Sequence, residues 1–162
     1  MENNKFHYVV VTGMIIKEGK YLIVKRSDKE KVFPGKWTVP GGKLEQKDYI
    51  NLPPNTKEGQ WYNILDILLK REVKEEVNLD IKNIKYLTNL TFIRPDNIPV
   101  VVLSLFAYYE NGEVKLNEEE LSDHKWVTLE EAKEYDFIDG IYEELVMLDK
   151  HLKGEEIKEW QR

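Results

Sequence analysis

Two spacings of apolar residues alternate along this chain, and together they outline its elements. From Tyr8 to Ile16 the residues are mostly β-branched, Glu18-Gly19-Lys20 supplies a turn, and Tyr21 to Val24 is apolar again, which predicts a β-hairpin. Trp37-Thr38-Val39 reads as a short strand that Pro40-Gly41-Gly42 stops. Ile81 to Phe92 and Pro99 to Tyr109 read as two strands around the turn Arg94-Pro95-Asp96-Asn97, with Glu110-Asn111-Gly112 closing the second and Trp126-Val127 forming one more. From Trp61 to Val77 there is no Gly or Pro, and Leu, Lys, Glu and Ile dominate, so this is the strongest helix signal, with Asn78 suited to end it. Thr128-Leu129-Glu130-Glu131 is a capping box opening a short helix, and Ile141 to Leu152 supplies a last amphipathic helix before a charged tail. The order β-β-β-α-β-β-β-α-α predicts an α/β fold with mixed strands between helices. Glu45 to Gln60 is polar, contains Pro53-Pro54 and Gly59, and is longer than loops in compact domains usually are. It is expected to cover a site, as a lid, or an interface.

The central helix carries an unusual polar cluster. On a wheel of about 100° per residue with Glu72 at zero, Glu75 falls near 300° and Glu76 near 40°. Trp61, Leu65, Leu68 and Leu69 share that face, while Asn63, Asp66, Lys70 and Lys74 lie opposite. A run of charges is usually a solvated face, but these three acids continue the apolar stripe. Clustered carboxylates that lose hydration repel one another, and a divalent cation relieves that cost. All-oxygen ligands suit Mg²⁺ or Mn²⁺ better than zinc. Arg71, near 260°, lies beside Glu75, where it either braces a carboxylate or forms an ordinary intrahelical ion pair. Gly41-Gly42 follows a strand and leads towards this helix. A backbone carbonyl there can approach the same cation unobstructed, although paired glycines also serve as plain turns.

Composition narrows the class. With 162 residues and no polar stretch separating two apolar regions, the chain is expected to be one domain over residues 1–162. The apolar runs are too short to span a bilayer as a helix, and the start Met-Glu-Asn-Asn-Lys lacks a basic, then apolar, export signal. Cysteine is absent, which excludes disulfides, thiolate metal sites and a cysteine nucleophile; the cytoplasm is the expected location. A net charge of −6 argues against a nucleic acid polymer as partner, but not against a single phosphorylated ligand held by a cation and a few local bases. The three histidines show no metal-ligand spacing, and no serine sits in a nucleophile elbow. Tyr108, Tyr109 and Trp160 read as packing residues.

Gly42 with Arg71-Glu72-Val73-Lys74-Glu75-Glu76-Val77-Asn78-Leu79 resembles the signature of the Nudix hydrolases. The family pattern is Gly, five residues, Glu, seven residues, then Arg-Glu-U-X-Glu-Glu-X-Gly-U, with U aliphatic. Here Asn78 replaces the last Gly, and Asn also tolerates a left-handed backbone. Asp48 stands where the first Glu belongs, and twenty-two residues rather than seven separate it from Arg71, so the box carries an insertion. Asp48, Glu58 or no residue fills the role of that glutamate. Gly35 to Glu45 resembles the segment before the box in MutT-type members, and Trp126-Val127 with Glu130-Glu131 resembles their late strand and helix.

The resemblance implies a Nudix fold, an α/β/α sandwich with a mixed sheet. It implies metal-dependent hydrolysis of a pyrophosphate bond in a nucleoside diphosphate linked to a moiety X, with a nucleoside triphosphate, including an oxidised purine form, as the favoured substrate. ADP-ribose or a nucleotide sugar is an alternative substrate, and a non-catalytic nucleotide-binding module an alternative role. Carried over residue by residue, Glu72, Glu75, Glu76 and the Gly41 carbonyl are expected to hold Mg²⁺ or Mn²⁺. Glu72, Glu75, Arg71 and Glu120 are expected to serve catalysis, and Lys25, Arg26 and Asp139 to meet the substrate. Lys25 and Arg26 also suit a solubilising surface, and Asp139 a helix N-cap. The expected assembly is a monomer or homodimer away from membranes.

Overall fold

The structure is a computed structural model that describes residues 4–162; residues 1–3 of the charged start lie outside the described residues. Strands β1 (Tyr8–Lys17) and β2 (Lys20–Arg26) form the expected hairpin, with Glu18 and Gly19 both at positive φ in the turn. Short strands β3 (Trp37–Thr38) and β4 (Gly41–Lys43) follow, then a 3-10 turn at Gln46–Asp48 and helix α1 (Ile64–Val77). Strands β5 (Asp80–Ile93), β6 (Pro99–Asn111) and β7 (Leu121–Val127) precede helices α2 (Leu129–Ala132) and α3 (Ile141–Leu152).

One sheet of seven strands runs β3-β2-β1-β6-β5, with β4 paired to β1 and β7 paired to β2. The β1 to β6 pairing is parallel, from Tyr8↔Val100 to Ile16↔Tyr108, and the other pairs are antiparallel. Strands β1 and β2 pair only beside their turn, at Ile16↔Tyr21 and Lys17↔Lys20. Beyond it β1 takes β4 as its neighbour and β2 takes β3, so the hairpin opens towards Gly41-Gly42.

The period-two alternation of β1 and β2 divides the core between the two faces of the sheet. Val11, Ile15, Leu22 and Val24 pack with Leu68, Leu69, Val73 and Val77 of α1. Met14, Ile16, Tyr21 and Ile23 pack with Ile141, Leu145 and Leu148 of α3. Helices on both faces of a mixed sheet make the α/β/α sandwich expected from the sequence. No helix among the described residues is long and apolar enough to cross a membrane.

Three boundaries differ from expectation for physical reasons. Helix α1 starts at Ile64 rather than Trp61, because Asn63 takes a left-handed backbone at φ 57°; Trp61 instead packs on Tyr49, with its Nε1 donating to the Leu52 carbonyl at 2.9 Å. Gly41-Gly42 does not end strand structure but forms β4, because β1 offers it a ladder. Strand β7 extends back to Leu121 through the polar run Ser122-Asp123-His124-Lys125, since β2 pairs along its whole length.

Candidate functional site

Helix α1 delivers its acids at the open end of the β1/β2 hairpin. Asn78 closes the helix at φ 62°, its N–H donating to the Lys74 carbonyl at 3.1 Å, so Asn does here what a C-terminal Gly would do. Glu76 is buried, 8% exposed, and its Oε2 accepts the Gly41 N–H at 3.1 Å. Gly42 lies so close to the Glu72 carboxylate that a Cβ there would overlap it. Only glycine permits that approach of strand to helix.

Arg71 is the hub beneath these acids. Its guanidinium meets Glu72 Oε1 at 3.0 Å and Glu75 Oε2 at 2.9 Å, and its Nε lies 2.5 Å from Asp48 Oδ1. The Asp48 contact is a charge pairing rather than an aligned hydrogen bond. Asp48, whose side chain is 1% exposed, also accepts the Glu45 N–H at 2.8 Å through Oδ2. Of the alternatives left open for the first acid of the box, it is therefore Asp48 that faces the arginine, whereas Glu58 stands exposed in the loop. The inserted residues close back onto α1 through this pair. None of residues 44–75 lines the main cavity, so the loop is not a cover over it.

Carboxylates crowd the cavity end of α1. Burial, countered by Arg71 and reinforced by the charges of Glu75 and Glu120, pushes Glu72 up to about 7. Glu76 is held well above the usual carboxylate range, first by burial and then by the nearby charges of Glu72 and Glu120, while the Gly41 N–H opposes this. The Glu120 carboxyl lies within hydrogen-bonding reach of Glu76. Glu75 is turned away: its side chain is 56% exposed and tied to Arg71. Among the described residues, no three His, Asp or Glu side chains are gathered closely enough, as they stand, to hold a metal ion. The donor chemistry nevertheless fits a hard divalent cation. Glu72, Glu76 and Glu120 are oxygen donors crowded together, the first two at the expense of their hydration, and Glu76 has no cationic partner among the described residues.

A cavity of about 800 Å³ runs from this cluster along the α3 side of the sheet. Gly41, Gly42 and Glu76 line it, and Asp139, Trp160 and Arg162 are also in its wall. Six bases, Arg26, Lys29, Lys31, Lys43, Arg94 and Arg162, line it. Arg26 reaches it with its Nε on the Val32 carbonyl at 2.8 Å and its NH2 on Glu30 Oε2 at 3.1 Å. Lys25, its neighbour, does not line the cavity; the β2 ladder to β7 shifts register between the two residues. Asp139 does line it, but its carboxylate is largely exposed and bound to Arg162 at 2.8 Å.

Four lining residues escape a reading of the sequence. Thr12 and Ser104 face each other across the parallel β1/β6 pair, at 3.3 Å between hydroxyl oxygens, and Glu144 from α3 lies buried at 2% exposure beside Ser104. Glu144 Oε2 has no hydrogen-bonding partner, and burial, tempered by Ser104 and increased by Glu143, pushes this carboxyl up to about 7. In the sequence Glu144 is merely an acid in the first turn of a helix, where acids are common. The fourth, Trp160, sits in a charged tail.

Comparison with known proteins bears on this geometry. A family model described as the NUDIX domain matches residues 69–146, beginning inside α1 and so beyond the inserted loop. The nucleoside triphosphatase NudI of Escherichia coli strain K12 is 29% identical over 138 residues, covering 78% of this chain and 86% of that protein. In fold, the chain is similar to the MutT NUDIX hydrolase from Burkholderia pseudomallei, with a TM-score of 0.69 at 19% identity over 88% of this chain and 98% of that one. It is similar too to the NUDIX domain of Shewanella oneidensis NrtR, solved with ADP ribose, with a TM-score of 0.69 at 18% identity over 92% and 90% of the two chains.

Proposed function

We propose that this chain is a MutT-like member of the Nudix hydrolases, a family that generally uses divalent metal ions, and that it hydrolyses a pyrophosphate bond of a nucleoside triphosphate with Mg²⁺ or Mn²⁺. The observation that carries this reading is Glu76, a buried carboxylate with no cationic partner among the described residues, crowded by Glu72 and Glu120 in the wall of a cavity lined with six bases. The likeness to a nucleoside triphosphatase supports a triphosphate as substrate. We also take the protein to work as one domain in the cytoplasm, as a monomer or homodimer.

Glu72, Glu76, Glu120 and the Gly41 carbonyl would hold the cation, with Glu75 joining once it leaves Arg71. When bound, the metal offsets charge on the phosphoryl oxygens and acidifies the attacking water. The protein's own residues do the rest. Arg71 fixes Glu72 against Gly42, so that one carboxylate oxygen is held while the other stays free to accept a proton. Arg26 orients the phosphate chain from the cavity wall, and Lys25 contributes only at longer range. Asp139 reads the far end of the substrate.

The test is phosphate release detected with malachite green, after inorganic pyrophosphatase for a panel of deoxynucleoside triphosphates and 8-oxo-dGTP, and after alkaline phosphatase, which frees phosphate from the AMP and ribose 5-phosphate formed, for ADP-ribose. Metal-dependent turnover of triphosphates, abolished by EDTA and reduced at least about 100-fold by Glu76→Gln, is the expected result. Faster turnover of ADP-ribose, the ligand bound by the Shewanella domain, would move the substrate class to dinucleotide-type pyrophosphates. No metal-dependent turnover of any panel member would leave a binding module.

A further inference from the structure

The tail after α3 is not where a charged terminus would be expected to lie. Residues 155–162 have no regular secondary structure, yet they run back along the loop that precedes α3. Trp160 Nε1 donates to the Gly140 carbonyl at 3.3 Å, and Arg162 pairs with Asp139 at 2.8 Å and with Glu143 at 3.9 Å. The indole rests on Gly140 itself, a ring carbon standing 3.8 Å from where a Cβ would be. Gly140 has φ 97°, a backbone that disfavours any side chain there, so the aromatic ring has a flat seat.

Fixing eight residues costs conformational entropy, on the order of 1–2 kcal/mol each for the backbone alone. Exposed ion pairs such as Arg162 with Asp139 return little of that. The tail is thus weakly held, and its one large aromatic is spent neither on the core nor on the sheet. Trp160 remains 38% exposed and forms part of the cavity wall, the same cavity that Glu76 and Gly42 line. A substrate whose phosphates sit among the basic residues near Glu76 projects its remaining bulk along this wall.

We infer that Trp160 is a specificity-determining residue, a platform on which the aromatic base of a nucleotide packs, so that residues 155–162 complete the substrate site. The inference rests on the nucleotide reading above. It selects substrates with a planar base over phosphate compounds without one, because a π-face gains from stacking on indole whichever base it belongs to. Arg162 keeps Asp139 occupied until a base with hydrogen-bond donors competes for the carboxylate.

The experiment compares wild type, Trp160→Ala and Trp160→Phe on a deoxynucleoside triphosphate and on inorganic tripolyphosphate, which has the phosphate chain without a base. KM is measured for both, and the Kd of the non-hydrolysable α,β-methylene nucleotide is measured by calorimetry. Trp160→Ala is expected to lower the preference for nucleotide over tripolyphosphate roughly tenfold and to weaken the methylene nucleotide by the same factor, whereas Trp160→Phe retains most of both. The site lies on the surface of the fold, so unchanged thermal unfolding serves as the control. A preference that survives Trp160→Ala overturns the inference and leaves the hydrolase reading standing. Trp160-dependent binding without turnover supports the inference and removes the hydrolase reading, and absence of nucleotide binding removes both.

Discussion

Glu144 should leave a measurable mark on stability as a function of pH. It is buried beside Ser104, has no cationic partner, and has one oxygen without a hydrogen bond, which together push it up to about 7 from an ordinary value of 4.5. Below the unfolded value both states are protonated and the carboxyl costs nothing. Between pH 4.5 and 7 the unfolded chain releases its proton while the folded chain keeps it, so stability falls as pH rises through this window. Above pH 7 the contribution levels off. A difference of some 2.5 pH units at about 1.4 kcal/mol each gives an upper figure of roughly 3.5 kcal/mol, and water penetration or local relaxation lowers it. Glu144→Gln keeps the shape and removes the titration. Urea unfolding of both proteins from pH 4.5 to 8, with the m-value as a check that the same surface is exposed, isolates the difference from Glu72 and Glu76, whose raised values slope the same way in both. The variant should gain on wild type by about 1–3 kcal/mol across that range. A difference that is flat with pH would mean that Glu144 is solvated or paired in solution, and the reasoning would fall.

Two further outcomes follow from the ion-pair hub and the inserted loop. Arg71→Met leaves the buried Asp48 carboxylate and the Glu72 carboxylate without their partner, which should destabilise the fold by about 3 kcal/mol in urea unfolding; a loss under about 0.5 kcal/mol would reduce the hub to a surface interaction. Replacing residues 52–60 with a short Gly/Ser linker, which spares Asp48 and Arg71, should leave the KM for nucleotide within about twofold, since no residue of the loop lines the cavity. A larger change in KM would restore the lid that the loop's length suggested.

The sequence exposed what depends on local pattern and hid what depends on partners. The β1/β2 hairpin, α1 and α3 were legible because their apolar residues recur at strand or helix spacing, and the inward acids of α1 stood out because they share the stripe of Leu68 and Leu69. Strand β4 was not legible, since Gly-Gly has no strand preference and takes one only from β1. Nor was the polar start of β7, which exists through its pairing with β2. The pairing of Asp48 with Arg71 could be named only as one option, as twenty-two intervening residues carry no periodic signal across the gap. Lys25 and Arg26 looked equivalent in sequence, yet only Arg26 turns into the cavity. Glu144 and Trp160 are defined by long-range packing, against Ser104 and Gly140, which no local pattern records.

The clasp between Asp48 and Arg71 also makes the intervening segment modular. By holding the two ends of the inserted stretch together, it closes a loop of twenty-two residues, of which the fifteen that precede α1 can vary in length with little effect on the rest of the molecule. Growing such a loop from seven residues to twenty-two costs only about 1 kcal/mol in closure entropy, because the penalty rises with the logarithm of length. A new segment can therefore be spliced in without disturbing the acids on α1, and its tip can carry a tag, a fluorophore or an entire guest domain. The fold thus contains a port for attachments a few residues from the acids of α1, insulated from them by one ion pair.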